Sequence, residues 1–225
     1  RKLSLWIFII PFVAINLCLF ISTNHHVFEN TFLAVDQIGR SNPTFPYFDG
    51  GVSISRTART YPTYLIFKPS MIFASFLLIL YWVKTNKLIN NLQQSESKNL
   101  FKTFGILSAI FLIIHSIFLG IKFDYDLYKF FRRFVLLAFI IFEIVAQSLL
   151  VFRLFKLKSS IKDYFNNYAL VLKIILVSIL VVVAIISLPI VVTSGNVHFK
   201  HALEWNYFVG VILFYFLTYL FWKKM

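Results

Sequence analysis

Six long apolar runs fill most of this 225-residue chain. They lie near residues 3–22, 62–84, 101–121, 133–153, 168–193 and 203–222, and each is about the length that crosses a hydrocarbon core of roughly 30 Å. In lipid, a backbone satisfies its N–H and C=O groups only within a helix or a closed barrel. These runs lack the two-residue alternation of barrel strands. The chain therefore reads as an all-α integral membrane protein, a single six-transmembrane-helix bundle. Pro11, Pro69 and Pro189 fall inside or at the ends of spans, where proline is tolerated and is expected to kink the helix locally.

Composition agrees. The chain is 59% hydrophobic and 14% charged, with a mean hydropathy of +0.79, whereas soluble domains run near 45–50% apolar and about 25% charged. A net charge of +13 would suggest nucleic acid in a soluble protein. Here the basic residues sit at the ends of apolar runs, where they hold the chain against headgroups, so no nucleic-acid partner is expected. The lone cysteine, Cys18, lies in the first run, which rules out an internal disulfide and reads as a core or lipid-facing thiol. Arg1 and Lys2 before Leu3–Ile21 have the charge order of a signal peptide. The run is too long and no small-residue cleavage site follows it, so it reads as a retained first span.

Lysine and arginine divide thirteen to nine in favour of the side that holds both ends of the chain, with Lys173 among the thirteen. The nine are further diluted by Glu29, Asp36, Asp49, Asp124, Asp126 and Glu204. Both termini are therefore expected to be cytoplasmic. Residues 23–61 form an extracytoplasmic connection of 39 residues, far beyond the usual median of about 4–6. Phe45, Tyr47, Phe48 and Tyr61 give it apolar weight, and Pro43, Pro46, Gly50 and Gly51 mark tight turns. It is expected to be ordered and to cap the outer mouth of the bundle. Residues 84–100, rich in Asn, Gln and Ser, read as a solvated linker.

Polar groups that a membrane makes costly are the candidates for function. Glu143 lies near the middle of the fourth span with Gln147 one turn later. An acidic residue at that depth costs at least about 2.5–3.5 kcal/mol, so it should face the interior and have a partner. Either it is a structural carboxyl bonded to a neighbouring helix, or it belongs to a proton or headgroup site. His115, in the outer half of the third span, reads as an interhelical histidine within marginal reach of Glu143. At the outer mouth, His25, His26, Asp49, His198, His201 and Glu204 are available to converge. The spacing of His198 and His201 is not the i, i+4 pair by which a helix presents two metal ligands, and no nucleophile motif accompanies the histidines. Neither a metal nor a cofactor is expected. Arg56, Arg59 and Lys68 place cations at headgroup depth, either as phosphate ligands or as snorkelling anchors.

Two stretches carry a resemblance. FPYFDGGVSISRTARTYPTYLIFKPSMIFASFLLILYW and HALEWNYFVGVILFYFLTYLFW resemble, respectively, the loop and following span and the final helix of the six-span proteins that include the DRAM autophagy modulators and the GPI-anchor lipid-remodelling proteins. By position, the resemblance reaches Pro46, Asp49, Ser53 and Glu204. The lipid-remodelling branch has a histidine in the loop before the fourth span. Here that stretch reads DYDLYKFFRRF, without that histidine, a departure from the pattern on which that branch's proposed chemistry rests. The resemblance implies a role in lipid remodelling, lipid organisation or membrane trafficking.

The function expected from these features is binding or remodelling of a phospholipid or glycolipid at the extracytoplasmic mouth. Asp49, Ser53, Arg56, Arg59, His201 and Glu204 are its headgroup candidates, and His115, Glu143 and Gln147 its intramembrane ones. An enzyme of this kind would be a lipid-remodelling factor. The alternative is a non-catalytic subunit or scaffold among other membrane subunits, which the 28 Phe and 11 Tyr would suit as packing and interfacial residues. A transporter is disfavoured, because two matching halves with broken helices are not evident.

Overall fold

The computed structural model describes residues 1–93, 99–121, 126–158, 164–192 and 195–222. Among the described residues there are seven α-helices: α1 (Lys2–Thr23), α2 (Ile54–Ala58), α3 (Tyr64–Gln93), α4 (Leu100–Phe118), α5 (Asp126–Lys156), α6 (Asn167–Val192) and α7 (Val197–Phe221). All but α2 contain a stretch long and apolar enough to cross a membrane, and the chain is a polytopic membrane protein. The shortest of the six, α4, has 19 residues, or about 28 Å at 1.5 Å per residue.

The six long helices form a closed ring in chain order. Each of α3 to α7 packs on its sequence neighbour, α1 closes the ring by packing on both α3 and α7, and α5 reaches α7 across the centre. Lipid tails are as apolar as leucine, so helices associate in a membrane by close packing and polar contacts, and small residues let them approach. Gly105 of α4 illustrates this, for a Cβ there would lie 2.3–2.4 Å from three atoms of the Trp82 indole. Ala109 and Ala146 are fully buried in the same layer.

Helix ends differ from the apolar runs in instructive ways. The second span was expected to stop at Lys84, with a linker to follow. Instead α3 continues to Gln93 because Ile89 and Leu92 extend its packed face. Asn99 then donates to Asn86 and Asn90 at 2.8 Å, and Arg153 donates to Gln93 at 2.7 Å. The third span ends early, at Phe118. Gly120 follows at φ +84°, and a Cβ there would come within 2.7 Å of the Arg59 carbonyl. The fourth begins early, at Asp126, where the Tyr128 hydroxyl reaches the Phe118 and Ile121 carbonyls at 3.0 and 3.2 Å. The helices run through Pro11, Pro69 and Pro189. Thr193, placed in the fifth span, lies outside the described residues, as do Lys98, Lys122, Asp124, Lys162, Lys223 and Lys224 of the charge tally.

The long connection is ordered. Ser41 N–H donates to the Ser22 carbonyl at 3.1 Å and Asp36 N–H to the Tyr61 carbonyl at 3.2 Å, which closes the connection on itself. Arg40 pairs with Glu29 at 3.2 Å and donates to the Val35 carbonyl at 3.1 Å. Val52, Ile54 and Ala58 pack into one cluster with Ile15, Cys18, Phe67, Leu119 and Trp205. Cys18 is thus a core thiol, bonded to the Thr63 carbonyl at 3.4 Å. The cap draws on α1, α3, α7 and the end of α4.

Gly105→Ala is expected to overpack the Trp82 contact and destabilise the bundle by about 1–3 kcal/mol. Gly210→Ala meets only the flexible end of Leu180, at 2.8 Å, and should lose less. Unfolding of the two variants in detergent, side by side, checks the order.

Candidate functional site

At the end of the bundle away from the chain termini, the first turns of α7 are bound to one strip of the cap. Gly50, at φ +61°, lies against the His198 backbone so closely that a Cβ would be 1.7 Å from its carbonyl oxygen. His201 Nδ1 is 3.0 Å from the Gly50 carbonyl, and the Trp205 indole N–H donates to the Val52 carbonyl at 2.8 Å. Asn206 donates to the Tyr47 carbonyl at 2.7 Å. The Glu204 carboxylate takes the backbone amides of Ile54 and Ser55 at the start of α2. The Tyr47 ring meets Trp205 edge to face at 5.1 Å, and its hydroxyl donates to Asn16 at 3.0 Å. Burial raises the Tyr47 phenol above its ordinary range, against the opposing effect of that hydrogen bond.

Two of the other headgroup candidates also serve the cap. Ser53 is the N-cap of α2, accepting from Arg56 N–H at 3.2 Å. Asp49 organises a turn, accepting from Thr44 Oγ1 at 2.5 Å and from the amides of Phe45 and Gly51 at 2.8 Å each. The Thr44 hydroxyl, followed by those two amides, holds the Asp49 carboxyl below the usual aspartate range.

The expected single mouth therefore divides. Asp49, Ser53, His201 and Glu204 lie along the cap and α7, occupied by backbone groups of the cap. Arg56 and Arg59 are exposed at the other end of α2. Arg59 packs on Gly120, beyond α4, and is drawn below the ordinary arginine range by desolvation, then by the charges of Arg132 on α5 and Arg56. Lys68 lies nearby in chain terms, donating to the Ile117 carbonyl at 3.1 Å. Among the described residues none of the three arginines has a carboxylate partner; the one ion pair is Arg40 with Glu29. No three His, Cys, Asp or Glu residues come together as a metal site among the described residues.

A second cluster lies inside the bundle, in the half nearer the chain termini. Glu143 and Gln147 are buried. Glu143 is bonded to Ser108 of α4 at 2.5 Å, to Gln147 at 2.9 Å and to the Tyr215 hydroxyl of α7. Gln147 also donates to the Val211 carbonyl at 3.1 Å. His115 is not a partner of Glu143, for these contacts are made a turn or two deeper along α4, at Ser108.

Lys173 was counted among headgroup-facing cations, but it is 1% exposed. It donates to Thr218 at 2.7 Å and sits 4.0 Å from the centre of the Phe214 ring and 5.4 Å from that of Phe221, a cation–π site. One signal marks it in the sequence: it is the only charged residue between Asn167 and Val192, subject to the same cost argument as Glu143. Tyr215, Thr218, Tyr81 and Ser108 were not foreseen, for their types are ordinary in spans and only packing brings them to these contacts. Arg132 entered only the charge tally, and its approach to Arg59 depends on packing between segments far apart in the chain.

Comparison with protein-family models, curated proteins and solved structures yields no match to this chain.

The depressed Asp49 carboxyl gives a signed pH dependence. A carboxylate whose folded value lies below its unfolded value stabilises the fold above the unfolded value, and that contribution disappears as pH falls through the folded one. Acidification below the ordinary aspartate range should therefore lower the protection of the Phe45 and Gly51 amides relative to their intrinsic exchange rates at the same pH. Asp49→Ala should show that loss of protection already at neutral pH, and mass-spectrometric hydrogen exchange reads both.

Proposed function

We propose that this chain is a multi-pass membrane protein that binds an anionic phospholipid or glycolipid headgroup at its extracytoplasmic face. The observation that carries the reading is the group formed by Arg56, Arg59 and Arg132, close enough for their charges to repel and without a carboxylate among the described residues. Uncompensated arginines at a membrane surface suit phosphate, which the planar guanidinium engages through two parallel hydrogen bonds.

Neighbouring side chains support a lipid as the source of the anion. Ile117, Leu127, Phe130, Phe131 and Phe134 are exposed on α4 and α5 around the same end, where acyl chains would lie. In this reading the cap is extracytoplasmic and the termini cytoplasmic, as the lysine and arginine distribution favours. Asp49, Ser53, His201 and Glu204 then act as the clamp that seats α2 on α1 and α7, and so brings Arg59 toward Gly120 and Arg132 with Arg56 beside it. The likeness to the DRAM and GPI-anchor remodelling proteins is compatible with a lipid ligand. Binding is the better-supported activity, since His201 and Glu204, the acid–base candidates on α7, are taken up by backbone groups of the cap.

The test is lipid retention by the purified full chain, measured by native mass spectrometry with phosphatidylglycerol against phosphatidylcholine. At about 1 kcal/mol for each basic residue near an anionic surface, each Arg→Gln change should weaken phosphatidylglycerol retention about fivefold. The triple variant at 56, 59 and 132 should lose the preference for the anionic lipid. Equal preference in wild type and triple variant would end this reading.

A further inference from the structure

The hydrogen bonds of Glu143 can be assigned proton by proton. Its Oε1 accepts from Gln147 Nε2 at 2.9 Å and from the Tyr215 hydroxyl. Gln147 commits its other N–H to the Val211 carbonyl at 3.1 Å. Oε2 lies 2.5 Å from Ser108 Oγ, which is also 2.8 Å from the Gly105 carbonyl. A serine hydroxyl has one proton to give. The Gly105 carbonyl only accepts, so when that proton goes to it, the short contact to Oε2 requires a proton on the carboxyl.

The surroundings select this arrangement. From the helices packed around it, Glu143 meets Ser108 of α4 and Tyr215 of α7, with Tyr81 of α3 next to Tyr215, ring centres 5.0 Å apart. None is a cation. The buried lysine of the same half, Lys173 of α6, is bonded to Thr218 and covered by Phe214 and Phe221, and among the described residues neither ionisable group of α4, Lys102 or His115, is paired with the carboxyl. An ionised Glu143 would place a negative charge in the bundle with neutral hydrogen-bond donors and no cation to balance it, whereas the neutral acid satisfies both of its oxygens and the serine.

We propose that Glu143 is a proton-binding site in the bundle interior, occupied in this conformation, with its Oε2–H donated to Ser108 and the Ser108 hydroxyl passed on to the Gly105 carbonyl. When the junction of α4, α5 and α7 opens to water, the carboxyl transfers its proton to water and becomes a carboxylate. Closure takes up one proton again. Packing of these three helices and the charge of Glu143 are then a single equilibrium, independent of the headgroup reading.

Infrared spectroscopy of the full chain in lipid nanodiscs at neutral pH tests this. The expected result is a carboxylic-acid C=O band that shifts on deuteration and is absent from Glu143→Gln. Ser108→Ala, which keeps the carboxyl and removes its acceptor, should move that band to higher frequency. The proposal is overturned if Glu143→Gln removes carboxylate intensity instead. Should Glu143→Gln fail to fold, Ser108→Ala decides, since an acid band of unchanged frequency in that variant also overturns it.

Discussion

The bundle depends on the contact of one carboxyl with three helices. Glu143 of α5 is joined to Ser108 of α4 and Tyr215 of α7, and Gln147 adds a second link to α7 through Val211. Hydrocarbon supplies no partner for such a group, so any arrangement of helices that separates these residues leaves an unsatisfied polar group in the bundle. Apolar packing alone constrains helix order weakly in a membrane. The polar contacts add a directional requirement, and they explain why α5 touches α7 across the ring in addition to α4 and α6.

The capped end follows the same logic at the water boundary. The cap contributes carbonyls and amides that are half withdrawn from water, and α7 answers them with Trp205, Asn206, His201 and Glu204. Gly50 is needed because both its positive φ and its approach to His198 exclude a side chain. Once the strip from Tyr47 to Ser55 is seated, α2 is held in place, and its far end brings Arg56 and Arg59 toward Arg132. The clamp and the basic group are consecutive parts of one segment with different tasks.

Much of the fold was legible beforehand. Span number, the ordered cap and the interior placement of Glu143 follow from local quantities: run length, turn residues and the cost of a charge at a given depth. Helix ends were less accessible. Ile89 and Leu92 prolong α3 through a segment whose polar neighbours suggest a linker, because packing on adjacent helices outweighs average polarity. Lys173 shows the same weakness in a charge tally, which treats every lysine as facing headgroups.

By itself, the sequence determined the solvent, the six crossings and the need of each costly side chain for a partner, since hydropathy is a property of each residue and its near neighbours. Only the tertiary structure decided which partner each one finds. Ser108 and Tyr215 rather than His115 for Glu143, Thr218 and two phenylalanine rings for Lys173, and backbone carbonyls for His201 and Trp205 all depend on the order and rotation of helices around the ring. Those are set by contacts between residues far apart in the chain, and transfer cost carries no information about them.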